Sequence, residues 1–141
     1  MAPGRGRKMS KENKDIVRRF LTELQNNKNL EIINELVSDD FVGHTAEIRG
    51  TAELKKVVGD NLSAFPVATI TIEAQASEDD LVFTRYTTEG VHEGVYRGVA
   101  PTMEPVSYTV DTIHHLAGGK ITEGWRIVDR LDIVHQIGAV T

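Results

Sequence analysis

An acidic residue near the end of the chain is the first candidate for chemistry. Asp129 follows Trp125 by four residues at the end of a predicted strand, and strand alternation places both on one face if no bulge intervenes. A carboxylate that shares a face with Trp125 and Ile127 is partly desolvated. Desolvation raises a carboxyl pKa toward the range that is useful for proton transfer. The alternative is that Asp129 caps a helix beginning near Arg130, or pairs with that arginine.

The histidines are further candidates for orienting a carbonyl or moving a proton. His44 follows a short apolar strand, and it either faces a pocket or bonds to main chain at the surface. His92 lies near a strand end, where it either lines a pocket mouth or stabilises the loop. His114 and His115 are neighbours on a strand and point to opposite faces, so they cannot chelate one metal together. We predict no metal site, since no histidine spacing typical of metal ligands is present.

One predicted strand carries two distinct stripes of side chains. The first stripe is polar and the second is more apolar: Ser107, Thr109, Asp111 and His115 against Tyr108, Val110, Thr112 and His114. A polar stripe on the outer face is the simpler interpretation, since an aspartate is disfavoured inside a strand unless solvent or a partner satisfies it. The sequence leaves open which stripe faces inward.

The elements that position these residues follow from hydrophobic spacing. Apolar residues three and four apart predict helices over about 10–26, 29–36 and 50–65. After Pro66 the period changes to two, which predicts strands over 68–76, 81–91, 105–116 and 121–128, a tight turn at 117–120 and a closing helical turn over 131–137. Helices followed by antiparallel strands predict an α+β fold with three N-terminal helices on one face of a curved sheet. Such a sheet leaves a pocket for a small ligand.

Composition narrows the function classes. A chain of 141 residues fits one domain, and we assign 10–141 to it, with 1–9 as a disordered basic arm or as residues ahead of a natural start at Met9. A formal charge of −5 argues against nonspecific nucleic-acid binding. No apolar run approaches the ~20 residues of a membrane span. The absence of cysteine excludes disulfides and thiolate sites, and it fits a cytoplasmic protein.

Several segments together resemble one family. These are VRRF at 17–20, LVSDDFVGH at 36–44, EGVHEGVYRGVAPT at 89–102, and GGKITEGWRIVDRLDIVHQIGAV at 118–140. The third is similar to a Gly-Thr-His-x-Gly-x-x-x-Gly-x-x-Pro-Thr pattern, and the last to a Gly-Lys-Ile segment with a Trp followed four residues later by an Asp. From residue 10 onward the chain resembles the SnoaL-like polyketide cyclases of the NTF2-like superfamily.

The resemblance implies a cone-shaped α+β barrel with one apolar pocket. It also implies cofactor-free general acid/base catalysis, an intramolecular aldol cyclisation of a hydrophobic polyketide. The family's acid/base position falls on Asp129, and we expect His44 and His92 to matter next. Expected substrate contacts are Trp125, Tyr108, Tyr86 and Phe41. The chain departs from the pattern at Gly124, where many relatives carry a histidine or another large polar residue.

Other functions on the same fold stay open. One is a non-catalytic binding protein for a small hydrophobic molecule. Another is an epoxide hydrolase of the limonene type, for which Arg85, Asp111 and Asp129 supply the residue types, and a third is a ketosteroid isomerase-like enzyme. Strands with Val, Ile and Thr on both faces indicate that neither face is fully solvated. We therefore predict a homodimer or homotetramer formed through the exposed sheet face.

Overall fold

The computed structural model describes residues 3–139, with side chains from residue 9 onward. Ten elements follow one another along the chain. In order they are α1 (Pro3–Gln25), α2 (Ile32–Leu36), β1 (Val37–Gly43), β2 (Ile48–Arg49), α3 (Gly50–Ala64), β3 (Thr69–Glu78), β4 (Leu81–Val91), β5 (Pro105–Ala117), β6 (Lys120–Val128) and α4 (Arg130–Gln136).

The sheet confirms the α+β prediction. Its six strands run in the order β2-β1-β6-β5-β4-β3, and every neighbouring pair is antiparallel except β1 with β6. The long central strands β4 and β5 pair over their whole shared length, from Leu81 with His115 to Val91 with Pro105. Gly118 and Gly119 close the β5–β6 turn with positive φ angles, a backbone conformation that glycine adopts without steric cost.

Strict alternation assigns the two faces of β4 and β5. The inward residues are even-numbered and buried: Val82, Thr84, Tyr86 and Thr88 on β4, and Val106, Tyr108, Val110, Thr112, His114 and Leu116 on β5. The polar stripe that contains Asp111 therefore lies on the outer face. On that face Arg85 donates two hydrogen bonds to Asp111, at 2.7 and 2.9 Å.

The first helix covers the inner face of the sheet. Val17, Phe20, Leu21 and Leu24 recur at helical spacing and are all buried. The helix begins at Pro3, so it overlaps the arm predicted for 1–9, and the first two residues lie outside the described range. Within the described residues no helix is long and apolar enough to cross a membrane.

Two structural features were not predicted. The short strand β2 pairs with the end of β1 and leads directly into α3. A bulge also interrupts β6, because Leu116 pairs with Ile121 while His115 pairs with Glu123, which leaves Thr122 as an extra residue. The bulge inverts the expected alternation along the rest of β6 and thereby decides which side chains enter the cavity.

Candidate functional site

Two adjoining chambers lie between the inner face of the sheet and the helices. The large chamber has a volume of about 370 Å³ and the small chamber about 140 Å³. They share Val57 and Val58 of α3 and Arg126 of β6 in their walls. The two chambers are therefore neighbours along the same helix and strand.

Arg126 is, with Arg130, one of two charged residues that line both chambers. Its strand partner is Thr112 of β5, which places it on the inward face. No carboxylate of the described residues forms an ion pair with it. Desolvation works against its charge, but the hydroxyls of Tyr86, Tyr108 and Tyr96 outweigh that effect and raise the pKa of the guanidinium. Arg126 is thus a permanent cation that faces the cavity and has no counter-ion within the part of the chain that the structure describes.

The tyrosines beside Arg126 are neutral hydrogen-bond donors. Tyr86 lines the small chamber, and Tyr108 lines the large one. Burial raises the pKa of Tyr108, although Arg126 partly opposes the shift, so its phenol keeps its proton at neutral pH. A cation flanked by phenol donors stabilises an oxygen on which negative charge develops. Both tyrosines were predicted as substrate contacts, and the structure places both in the cavity wall.

The mouth of the large chamber carries more positive charge. Arg97 and Arg130 line it together with Arg126. The pKa of Arg130 is lowered, first by desolvation and then by the neighbouring charges of Arg97 and Arg126. Asp60 lines the same chamber but forms an ion pair with Lys56 at 3.7 Å. The mouth therefore favours ligands that bring negative charge.

The small chamber is lined mainly by apolar side chains, with Arg126 and Arg130 also in its wall. Phe41, a predicted substrate contact, forms part of its wall and is 5% exposed. His114 also lines it, and burial lowers the pKa of that imidazole to about 4. Phe20 of α1 meets the His114 ring edge-on, with centroids 5.9 Å apart. This end of the cavity is suited to an uncharged ring system.

The structure places Asp129 outside both chambers. It is exposed and forms the N-cap of α4, where its Oδ1 accepts a hydrogen bond from the Asp132 amide at 2.9 Å. The bulge at Thr122 lies ahead of both residues and puts Trp125 opposite the outward residue Ile113, so a residue of the same parity starts from the outer face. The strand also ends at Val128, before Asp129. Its neighbours Val128 and Arg130 do line the large chamber, so Asp129 lies beside the mouth.

Trp125 and His44 form a pair at the edge of the small chamber. Their rings stack with centroids 4.6 Å apart, and Nε2 of His44 lies 3.6 Å from a carboxylate oxygen of Glu123. Trp125 contributes to the chamber wall. Its strand partner is the outward residue Ile113, however, so its side chain starts from the outer face of the sheet.

His92 belongs to the protein core. It is fully buried, and its Nδ1 accepts a hydrogen bond from the Thr102 amide at 3.2 Å and lies 3.0 Å from the Thr102 hydroxyl. Main-chain bonds from His92 to Glu104 and from Met103 to His92 tie the same two segments together. His92 lines neither chamber, so in this structure it fastens the loop that follows β4.

Two cavity residues were missed from the sequence. Arg126 was overlooked because uninterrupted alternation puts it on the outer face, and the bulge reverses that placement. His114 was recognised as one of two opposed histidines, but the inward stripe was left open. The three residues proposed for an epoxide hydrolase do not meet, since Arg85 and Asp111 pair on the outer face while Asp129 caps α4.

Comparisons with known proteins agree with this architecture. AclR from Streptomyces galilaeus, a candidate hydroxylase, superposes with a TM-score of 0.84 at 24% identity over 93% of this chain and 83% of its own. A candidate SnoaL-like polyketide cyclase from Jannaschia superposes with 0.87 at 20% identity over 100% and 98%. IdmH from Streptomyces antibioticus, a candidate polyketide cyclase, does so with 0.76 at 28% identity over 89% and 98%.

No curated protein sequence matches the chain. The family model of the SnoaL-like polyketide cyclases matches residues 15–137, which is most of the chain and includes every element that lines the cavity. The four segments that carried the resemblance lie almost entirely within the matched region. The chain therefore belongs to the SnoaL-like polyketide cyclase family.

Proposed function

We propose that the protein binds an apolar, enolisable carbonyl compound of the polyketide class and stabilises its enolate at Arg126. The observation that carries the proposal is the guanidinium of Arg126 in the walls of both chambers, unpaired within the described part of the chain, with the phenols of Tyr86 and Tyr108 beside it. Aldol cyclisation begins with proton removal from a carbon next to a carbonyl. The negative charge that develops on the carbonyl oxygen is what a fixed cation and phenol donors stabilise.

The cavity supports this class of substrate by its shape and polarity. Apolar side chains from α1, α3 and β1 form much of the small chamber, and the charged residues of its wall are Arg126 and Arg130. A flat, conjugated molecule satisfies both parts, because its rings occupy the apolar end and its carbonyl oxygens reach the cation. Conjugation also spreads the enolate charge, so the reaction needs no metal or organic cofactor.

The acid/base role stays assigned to Asp129 as a prediction from the family match. Its position next to Val128 and Arg130 is compatible with proton transfer to a substrate held at the mouth. Its capping bond to the Asp132 amide leaves the second carboxylate oxygen, Oδ2, without a hydrogen bond to the described residues. His44 and His92 are assigned no step, since one stacks on Trp125 and the other is enclosed in the core.

Proton exchange at carbon tests the proposal without knowledge of the natural substrate. An aromatic 1,3-diketone in deuterated buffer exchanges the protons between its carbonyls, and NMR follows their loss. We expect the wild type to accelerate exchange, and Arg126→Met to lose ~10²–10³ of the rate, the range measured for loss of one donor to a developing oxyanion. Asp129→Asn should lose ~10²–10⁴ if Asp129 is the base.

The two variants separate the two parts of the mechanism. Unchanged exchange in Arg126→Met would contradict enolate stabilisation at Arg126. Unchanged exchange in Asp129→Asn alone would remove Asp129 and leave the cavity assignment intact. Arg85→Gln is the matched control, because it removes an arginine from the outer face of the same sheet. A wild type that binds the diketone without accelerating exchange would favour the non-catalytic binding function.

A further inference from the structure

His114 lies in the wall of the small chamber with an unsatisfied ring nitrogen. The residue is 8% exposed, and its Nδ1 has no hydrogen-bond partner among the described residues. Leaving a buried polar group unpaired destabilises a fold by ~1–3 kcal/mol, so most buried polar atoms are paired. Nδ1 is itself enclosed, so a ligand in the chamber reaches the ring through Nε2, which has no hydrogen-bond partner among the described residues either.

The space for this ring is created by a glycine on the neighbouring strand. Gly124 of β6 is the direct partner of His114. A Cβ at position 124 would lie 3.2 Å from Cζ of Phe41 and 3.4 Å from Cδ2 of His114. A larger residue there would displace one of the two rings. The combination of Gly124 with His114 therefore makes room for an imidazole in the wall of the small chamber.

The ring is neutral, which defines what it can bind. Arg126 and Arg130 line the same chamber, but burial is what lowers the pKa of His114 to about 4, so at neutral pH one ring nitrogen donates and the other accepts. Nδ1 lies nearer the main chain and is enclosed. A hydrogen on Nε2 avoids an enclosed, unpaired N–H group at Nδ1. In this tautomer the distal nitrogen presents a donor to the chamber.

A second polar group stands beside the ring. Thr112 is two residues before His114 on the same face of β5 and also lines the small chamber. Its hydroxyl donates to the carbonyl of Thr84 at 3.5 Å, which leaves an oxygen lone pair as an acceptor. Beside the arginines of the same chamber, Arg126 and Arg130, these two groups form an uncharged donor and acceptor pair. A carbonyl or hydroxyl oxygen matches that pair without bringing a charge to it.

We propose that His114 forms a hydrogen-bonding subsite for an uncharged carbonyl or hydroxyl oxygen at the far end of the ligand that Arg126 holds. The inference rests on the proposed function and specifies its substrate further. Arg126 follows Gly124 by two residues on β6, so it is a diagonal neighbour of His114 on one sheet face, ~7–8 Å away along the backbone. The ligand then carries an oxygen function at each of these two positions.

Two matched naphthoic acids test the subsite by calorimetry. One carries a hydroxyl on the ring far from the carboxylate, and the other carries a methyl group at that position. The carboxylate of each occupies the Arg126 site, so the pair differs only at the His114 end. We expect the wild type to bind the hydroxy acid about tenfold more tightly, because one net hydrogen bond contributes ~1.4 kcal/mol or a factor of ten.

The His114→Phe variant keeps a flat ring and removes both nitrogens. It should bind the two acids equally, while the control His115→Phe should keep the preference, because His115 faces outward and bonds to Thr122 at 2.7 Å. A preference that survives in His114→Phe would overturn the inference, and so would equal binding by the wild type.

Failure of the subsite and failure of the proposed function give different results. If both acids bind and both weaken in Arg126→Met, but without a preference for the hydroxyl, only the His114 inference fails. If neither acid binds the wild type, or if Arg126→Met binds both unchanged, the Arg126 site itself fails and the His114 inference fails with it. Circular dichroism of each variant confirms that the fold is retained.

Discussion

The two faces of the sheet differ in whether their polar side chains have partners. On the outer face Arg85 pairs with Asp111, His115 bonds to Thr122, and His44 approaches Glu123. On the inner face Arg126 has no carboxylate partner among the described residues and His114 has an unpaired nitrogen. Most buried polar groups find partners within the fold. Nε2 of His92 is also buried and unpaired among the described residues, but it lies in the core, whereas His114 and Arg126 line chambers. The unpaired groups of the inner face are therefore the ones that a ligand can meet.

The largest expected difference between the two faces is the loss of folding stability at acidic pH, which we attribute to His114 on the inner face. Burial lowers the pKa of His114 to about 4 from an ordinary 6.5, and its neighbours Phe20, Phe41, Val82 and Gly124 carry no titratable group. Below about pH 6.5 the unfolded chain takes up a proton that the folded chain does not, so stability falls as pH falls toward 4. The loss should approach ~3 kcal/mol, at 1.36 kcal/mol per pKa unit.

Urea unfolding at pH 7 and pH 4 measures this difference. His114→Phe should lose less stability than the wild type over the interval, whereas His115→Phe should lose as much as the wild type. Equal losses in the wild type and His114→Phe would show that the buried imidazole is not the source. Carboxylates that titrate in the same range affect all three proteins alike, so the comparison among them isolates the histidine.

Association through the outer face should give an effect of intermediate size. Ile127 is 73% exposed there, and Ile113 is 40% exposed. The predicted homodimer or homotetramer would cover them. Burying one such side chain contributes ~1.5–3 kcal/mol, so Ile127→Glu should weaken self-association ~10–100-fold. Light scattering across a concentration series measures it, and a wild type that has the mass of one chain at every concentration contradicts the prediction.

The smallest expected effect concerns the cap of α4. Asp129 accepts from the Asp132 amide, so Asp129→Ala should destabilise the fold by ~1 kcal/mol. Asparagine caps helices about as well as aspartate, so Asp129→Asn should keep the stability. Thermal unfolding of the two variants separates capping from chemistry. Equal destabilisation by both would mean that the charge of Asp129 matters for the fold itself.

The fold could be predicted from the sequence more accurately than the site could, because one extra residue in β6 changes which side chains face the cavity. Alternation along β4 and β5 is uninterrupted, so their stripes were correct before either face could be assigned. One extra residue, Thr122, reverses the faces of β6 and moves Arg126 inward. A bulge of this kind depends on pairing with β5 and leaves no clear pattern in β6 alone. For Asp129, a helix cap was predicted as an alternative to a catalytic role, and Asp129 does cap α4 in the structure.

Titration of a bound enol tests the central claim most directly. An aromatic 1,3-diketone changes its ultraviolet spectrum when its enol ionises. The pKa of the enol can therefore be measured for the free ligand and for the ligand bound to the protein. An unpaired cation beside the enol oxygen should lower the bound pKa by ~1–3 units. We predict that shift in the wild type and in Arg85→Gln, and its loss in Arg126→Met. A bound ligand with an unshifted pKa, or the same shift in Arg126→Met, would contradict enolate stabilisation at Arg126.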